Sequence, residues 1–230
     1  GISGILAAKN AAKNNLKTLL IDEKNEIGGA TIYQNRDFNK IDNQSSSDWI
    51  KKEINELKNI DNLEVKTRTS VAAYHGYNYL LARENLTDHL EKKDKNNKVR
   101  QRLLKIRAKK VILATGALER PLVFNNNDRP GIMLSTAVKK YADFFGVKCG
   151  EKNVFFTNND SAYESALCLY NKGIKVDAII DIRNNSNSKI VKAVEQIGIQ
   201  IYWSHTVVDT NGYRRLNNIS IMKLSNDGMT

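Results

Sequence analysis

At 230 residues the chain can hold one large domain or two of about 100 residues each, and its 41% hydrophobic content is enough for a real core. Thirty-six Lys and Arg against 25 Asp and Glu leave a net charge of +11. The cations are scattered, not gathered into a stripe, and Asn, Lys and Ile abound even in loops such as Asn125-Asn126-Asn127, so the charge reads as compositional bias and excludes a dedicated nucleic-acid surface.

Cys149 and Cys168 are too few for a disulfide framework and too far apart for a C-x-x-C pair, and read as two reduced cysteines. No apolar run approaches about 18 residues and no signal-peptide pattern is present, which points to a cytoplasmic protein without a membrane span.

The chain opens on Gly1-Ile2-Ser3-Gly4, which has the spacing of the last two glycines of a G-x-G-x-x-G dinucleotide fingerprint. Gly1 would let the backbone approach a pyrophosphate, and Gly4 would let the following helix pack closely on a sheet. Ile5, Leu6, Ala7, Ala8, Ala11 and Ala12 form the small apolar face of that helix, whose N-terminus suits phosphate. The apolar run 16–21 predicts the second strand, closed by Asp22-Glu23, and Gly28-Gly29 follow. A carboxylate there can accept both ribose hydroxyls and repels a 2′-phosphate, favouring NAD or FAD over NADP. With no initiator Met and no strand before the glycines, the chain is expected to be truncated at its start, and at its end by the lack of a closing strand.

Residues 45–58 predict a helix, with Ser45 to Ser47 as N-cap oxygens and Trp49, Ile50, Ile54 and Leu57 at helical spacing. Residues 63–71 alternate as one strand, read equally as a plain core strand or, by analogy with two-domain nucleotide-binding flavoproteins, as one whose end at Val71 passes the adenine. Residues 74–90 and 103–108 predict an inserted antiparallel β element, with a charged turn over 91–102. His75, Asp88 and His89 lack a partner histidine at i+4 or a cysteine and carry no metal site. Residues 110–116, Lys-Val-Ile-Leu-Ala-Thr-Gly, predict a buried parallel strand that turns at Thr115-Gly116, against the same nucleotide.

Both prolines, Pro121 and Pro130, fall in a stiff connection to a second lobe, and the domains are set at 1–124 and 125–230. The second lobe begins with a strand over 153–157, a helix with a Ser161/Glu164 capping box, and a strand over 175–181. Asn158, Asn159 and Asp160 stand where a second pyrophosphate would need bare backbone, so this lobe is expected to keep the fold without a nucleotide. A helix over 188–197, a strand over 199–203 and a hairpin turning at Asn211-Gly212 with type I′ geometry complete it. The fold class is α/β: a two-lobed Rossmann-like fold of the FAD/NAD(P)-binding, pyridine nucleotide-disulfide oxidoreductase type.

These residues resemble one family, the alpha subunit of heterotetrameric sarcosine oxidase. The most specific stretches are Ala114-Thr115-Gly116-Ala117, Glu119-Arg120-Pro121-Leu122-Val123-Phe124 and Asn126 through Leu134. Phe156 through Tyr163 and Thr87-Asp88-His89-Leu90 are also similar to that family. The resemblance covers essentially the whole chain but only the nucleotide-binding part of a much longer subunit. It implies a complex with beta, gamma and delta subunits that demethylates sarcosine to glycine, with oxygen as acceptor and tetrahydrofolate taking up the one-carbon unit. It also implies tight NAD on this subunit, amine oxidation at a flavin of the beta subunit, and a second flavin at the alpha–beta interface, FAD and FMN together serving the complex. By similarity, NAD contacts fall on Ser3, on Asp22, Glu23 and Lys24, on Thr31 and on Val71. The family usually has Arg at the position of Lys24, and lysine cannot make a forked contact. No catalytic dyad is apparent within the chain. A stand-alone FAD/NAD(P)H reductase and a non-catalytic nucleotide-bound scaffold are the alternatives.

Overall fold

A computed structural model describes residues 1–33, 40–95 and 98–225. The chain divides into two compact units, Gly1–Ala117 and Leu118–Thr230. The sequence reading set its boundary after residue 124.

In the first unit, helix α1 (Ile2–Lys13) leads into strand β1 (Thr18–Ile21). A 3-10 turn (Gly29–Tyr33) and a short antiparallel pair, β2 (Lys40–Ile41) and β3 (Gln44–Ser45), precede helix α2 (Ser46–Leu57). Ser45 caps α2, its Oγ accepting from the Asp48 amide at 3.2 Å, as the serine run predicted. Ile5, Ile27, Trp49, Ile50 and Leu57 form the core, with Leu20 and Leu63 packed against it. Lys9 ties α1 to α2 through Glu53 and Glu56, each at 2.6 Å. Strand β4 (Leu63–Lys66) runs parallel to β1, from Thr18↔Leu63 to Ile21↔Lys66.

The single strand expected over 63–71 is two strands. Arg68 has φ +51°, and the chain turns there into β5 (Thr69–His75). The break follows from the loop after β1: Arg68 N–H donates to the Lys24 carbonyl at 2.7 Å and Thr69 N–H to the Asp22 carbonyl at 3.0 Å. β5, β6 (Tyr79–Asn85) and β7 (Gln101–Arg107) then form the predicted antiparallel sheet, in that order.

Residues 110–116 do not form the predicted buried strand. They have no regular secondary structure and no partner strand, and Ile112 and Leu113 are 69% and 68% exposed. An apolar run becomes a strand only when a neighbour takes up its ladder, and none does so among the described residues.

In the second unit, helix α3 (Ser135–Asp143) precedes β8 (Lys152–Thr157), α4 (Ser161–Asn171), β9 (Lys175–Asp181), α5 (Lys189–Gln196) and β10 (Gln200–Trp203). The strands form a parallel sheet of order β10-β9-β8, the right arrangement for repeated βαβ units. Its core gathers Tyr163, Leu169, Ile179, Val191 and Val194. Strands β11 (His205–Asn211) and β12 (Asn218–Lys223) make the expected hairpin. Its turn is not type I′: six residues separate the strands, and Gly212 has φ +142°. Leu216, which donates to the Pro130 carbonyl at 2.8 Å, holds this longer loop against residues 129–131.

Candidate functional site

The first unit builds a groove around the start of α1. Gly1 precedes the helix, and the first helical bond runs from Ile5 N–H to the Gly1 carbonyl at 3.1 Å. No side chain caps this end and no acidic residue lies in its first turn. Its amides therefore face outward with the positive end of the helix dipole, a ready anion site. Gly1, Ile2 and Ser3 form one wall and residues 112–116 the other, enclosing about 390 Å³.

Two glycines fit close approaches. A Cβ on Gly4 would lie 3.3 Å from the Ala114 Cβ, so Gly4 lets α1 approach the unpaired segment 112–116, where the sequence reading expected it to lie on the sheet. A Cβ on Gly29 would lie 2.8 Å from the Gly1 α-carbon, and Gly29 has φ +63°. The turn after β1 thus braces the back of the Gly1 loop, and only glycine fits there. Gly28 is buried beside it.

Asp22 sits at the end of β1 with one carboxylate oxygen 4.0 Å from the Gly1 nitrogen. Its other oxygen accepts from the Lys24 amide at 3.0 Å, which shapes the turn and aims the carboxylate toward the loop. Glu23 is exposed beyond it. Of the predicted residues, Gly1, Ser3, Thr115 and Gly116 line the groove, Gly4 and Gly29 brace it, and Asp22 stands next to it. Glu23, Lys24, Gly28, Thr31 and Val71 lie outside its lining. Thr31 is buried in the 3-10 turn, and Val71 is half-exposed on β5 opposite Ala82. Ile2 and Ala114 escaped the sequence reading as site residues; the small size of Ala114, opposite a glycine, was the signal.

The equivalent turn of the second unit, from β8 to α4, is closed by its own side chains. Thr157 Oγ1 accepts from the Asn159 amide at 3.1 Å, and Asn159 Oδ1 accepts from the Ser161 amide at 2.9 Å and from Ser161 Oγ at 2.6 Å. The predicted capping box is absent: Ser161 is already helical and served by Asn159, while Glu164 pairs with the buried Lys139 at 2.5 Å. Asp160 accepts from Arg183 at 2.8 Å and from Ser186 Oγ at 3.3 Å. Burial opposes ionisation of Asp160, but hydrogen bonds led by Arg183 outweigh it and hold the carboxyl below its ordinary range.

Arg183 also grips the fully buried Asp181, with Nη2 at 2.7 Å and Nε at 3.0 Å, and the buried Tyr163 hydroxyl donates to the same carboxylate at 2.7 Å. Burial, then Asp181, push the tyrosine hydroxyl upward in pKa, and Asp181 raises the guanidinium.

Among the described residues no group of three His, Cys, Asp or Glu could hold a metal ion, and no helix is long and apolar enough to cross a membrane. Asp88 is paired with Arg68 and His89. Both cysteines are free; burial raises the Cys168 thiol, which keeps it unreactive.

The two α/β units, one with an uncapped helix start lining a groove, fit an α/β nucleotide-binding protein, and the chain belongs to the pyridine nucleotide-disulphide oxidoreductase family, whose model matches residues 1–224. It is 37% identical over 229 residues to the sarcosine oxidase subunit alpha of Corynebacterium sp. (strain P-1), covering 99% of this chain and 23% of that protein. It is 36% identical over 183 residues to the same-named subunit of Rhizobium meliloti (strain 1021), covering 80% of this chain and 18% of that protein. The chain thus spans about a fifth of the length of the curated relatives it matches. Its fold is similar to L-proline dehydrogenase from P. horikoshii, with a TM-score of 0.67 at 22% identity over 97% of this chain and 38% of that one. It is also similar to thioredoxin reductase from Lactococcus lactis, with a TM-score of 0.62 at 17% identity over 96% of this chain and 68% of that one.

Proposed function

We propose that the chain is the NAD-binding part of the alpha subunit of a sarcosine oxidase-like complex. That complex oxidatively demethylates sarcosine to glycine, transfers the one-carbon unit to tetrahydrofolate and reduces oxygen to hydrogen peroxide. The observation that carries the reading is the open start of α1, braced by Gly29 and flanked by Asp22, in a chain that is 37% identical to such a subunit.

In this reading the amides at the start of α1 and Ser3 hold the pyrophosphate, Asp22 accepts the ribose hydroxyls, and Glu23, Lys24, Thr31 and Val71 complete the adenosine side. Thr115 and Gly116 form the opposite wall. NAD has a structural or electron-neutral role here, and the amine is oxidised at a flavin on a beta subunit, with gamma and delta subunits completing a cytoplasmic heterotetramer. FAD, FMN and tetrahydrofolate belong to the rest of the complex.

A stand-alone reductase would need a second nucleotide in the second unit. There Asn159 and Asp160 occupy the turn and bring negative charge to the place of a pyrophosphate, which favours a single nucleotide. A scaffold role is separated from a functional cofactor by measuring turnover and assembly together in an Asp22 variant.

The test is to prepare the full-length subunit with its partners, denature it, and identify the released nucleotide by mass spectrometry. NAD on this subunit with flavin confined to partners is expected. FAD on this subunit alone overturns the reading in favour of the reductase.

A further inference from the structure

The antiparallel sheet β5-β6-β7 segregates its charges between its two faces. Residues directly opposite across antiparallel strands share a face, and successive residues alternate between faces. One face carries Leu80, Ala82 and Glu84 opposite Ile106, Leu104 and Arg102. Leu80 and Ala82 are buried there, and Glu84 takes Lys66 and Arg102, each at 3.3 Å.

The other face carries Tyr79, Leu81 and Arg83 opposite Arg107, Lys105 and Leu103. Arg107 lies over the Tyr79 ring at 5.5 Å, which places both on this side. Arg83, Lys105 and Arg107 are exposed, and among the described residues none of them has a carboxylate partner. Leu103 is 63% exposed between them, next to the half-buried Leu81. The sheet's acids are neutralised elsewhere: Glu84 on the opposite face and Asp88, beyond β6, by Arg68.

We propose that this face docks a separate protein subunit whose own contact surface sets acidic groups around an apolar centre. A leucine centre ringed by cations matches the anatomy of a protein interface, in which arginine is enriched and charges lie at the rim. Three uncompensated cations select a partner of opposite sign and repel another basic surface. A single nucleic-acid strand would stack its bases on open aromatic faces, whereas Tyr79 is half-buried with Arg107 over its ring. The inference rests on the subunit reading only in requiring a partner chain.

The test uses the full-length subunit, alone and in its complex. Lys105 is acetylated briefly in each and its labelling read by mass spectrometry. In parallel, association is measured against salt for the wild type, for a triple variant Arg83→Glu, Lys105→Glu, Arg107→Glu, and for a control with equal charge change at Lys13, Lys17 and Lys51. Labelling of Lys105 is expected to fall at least fivefold on assembly. The triple variant should associate at least tenfold more weakly with a flattened salt dependence, while the control stays near wild type. Equal labelling in both states, or unchanged association of the triple variant, overturns the proposal. Protection of Lys105 in the isolated full-length subunit assigns the face to that subunit's own chain, and DNA retention lost in the variant assigns it to nucleic acid; either also overturns it. Nucleotide content is read on the same samples, so failure of the NAD assignment is seen separately.

Discussion

Gly29 stands so close behind Gly1 that a methyl group on it would lie 2.8 Å from the Gly1 α-carbon. The turn after the first strand therefore fixes the loop before the first helix. Gly29→Ala combines this backbone clash with a strained φ of +63° and should cost about 3 kcal/mol or more, with loss of bound nucleotide. Gly146 has a similar φ of +65° but nothing within 4 Å, so Gly146→Ala should cost only about 1 kcal/mol and leave nucleotide bound. Urea denaturation and nucleotide content of the two variants make the comparison.

Asp22 combines two tasks, accepting from the Lys24 amide and facing the Gly1 loop. Asp22→Asn keeps an acceptor for the turn but removes the charge. Nucleotide affinity should fall by about 1.5–3 kcal/mol, roughly tenfold to a hundredfold, with little change in melting temperature of the nucleotide-free protein. Titration calorimetry on stripped full-length subunit reads the first quantity and thermal denaturation the second.

Glu119 caps α3 from outside the helix. Its two oxygens accept from the amides and hydroxyls of Ser135 and Thr136, with the amides at 3.1 and 2.9 Å. Burial works against the charged form, but these bonds prevail and hold the carboxyl below its ordinary 4.5. The sign follows: a lowered folded pKa adds stability that is fully present above pH 4.5 and lost as pH falls through the folded value. Glu119→Gln should destabilise by about 1–2 kcal/mol at pH 7, and its difference from wild type should shrink in acid. Denaturation series at both pH values check this.

Arg183 and Tyr163 share Asp181, but their removal should differ. Tyr163→Phe leaves the carboxylate gripped by Arg183 and should cost about 1 kcal/mol. Arg183→Ala leaves a fully buried charge with the tyrosine and the residue 183 amide, which donates at 2.9 Å, but no cation, and should cost about 3–5 kcal/mol. Equal losses for the two variants would show that the guanidinium is not the main support of Asp181.

Local signals were legible where neighbouring residues decide the outcome. The glycines, the alternation of helix and strand, the Ser45 cap and the antiparallel insertion were all readable. Four features were not, the first being the apolar run 110–116, which finds no partner strand among the described residues. The run 63–71 alternates without a break, yet hydrogen bonds from residues 68 and 69 to the loop after β1, more than 40 positions earlier, turn it at Arg68. Ser161 and Glu164 have capping-box spacing, but Asn159 and Lys139 offered nearer partners. The Asn211-Gly212 pair carries a tight-turn signal, and Leu216 bonded to Pro130 draws the loop out instead.

The sequence by itself determined the class of this protein, because glycine spacing, apolar periodicity and a terminal carboxylate act over a few residues and leave a local imprint. The residue types at the starts of α1 and α4 already set the two apart in the sequence; only the tertiary structure decided which partners close the one and brace the other. The start of α1 is left uncapped, with Gly29 and Ala114 packed against it, whereas the start of α4 is filled by Asn159 and an Asp160 held by Arg183, 23 residues away. An anion site is made by which donors remain unpaired, and that depends on side chains brought in from distant strands.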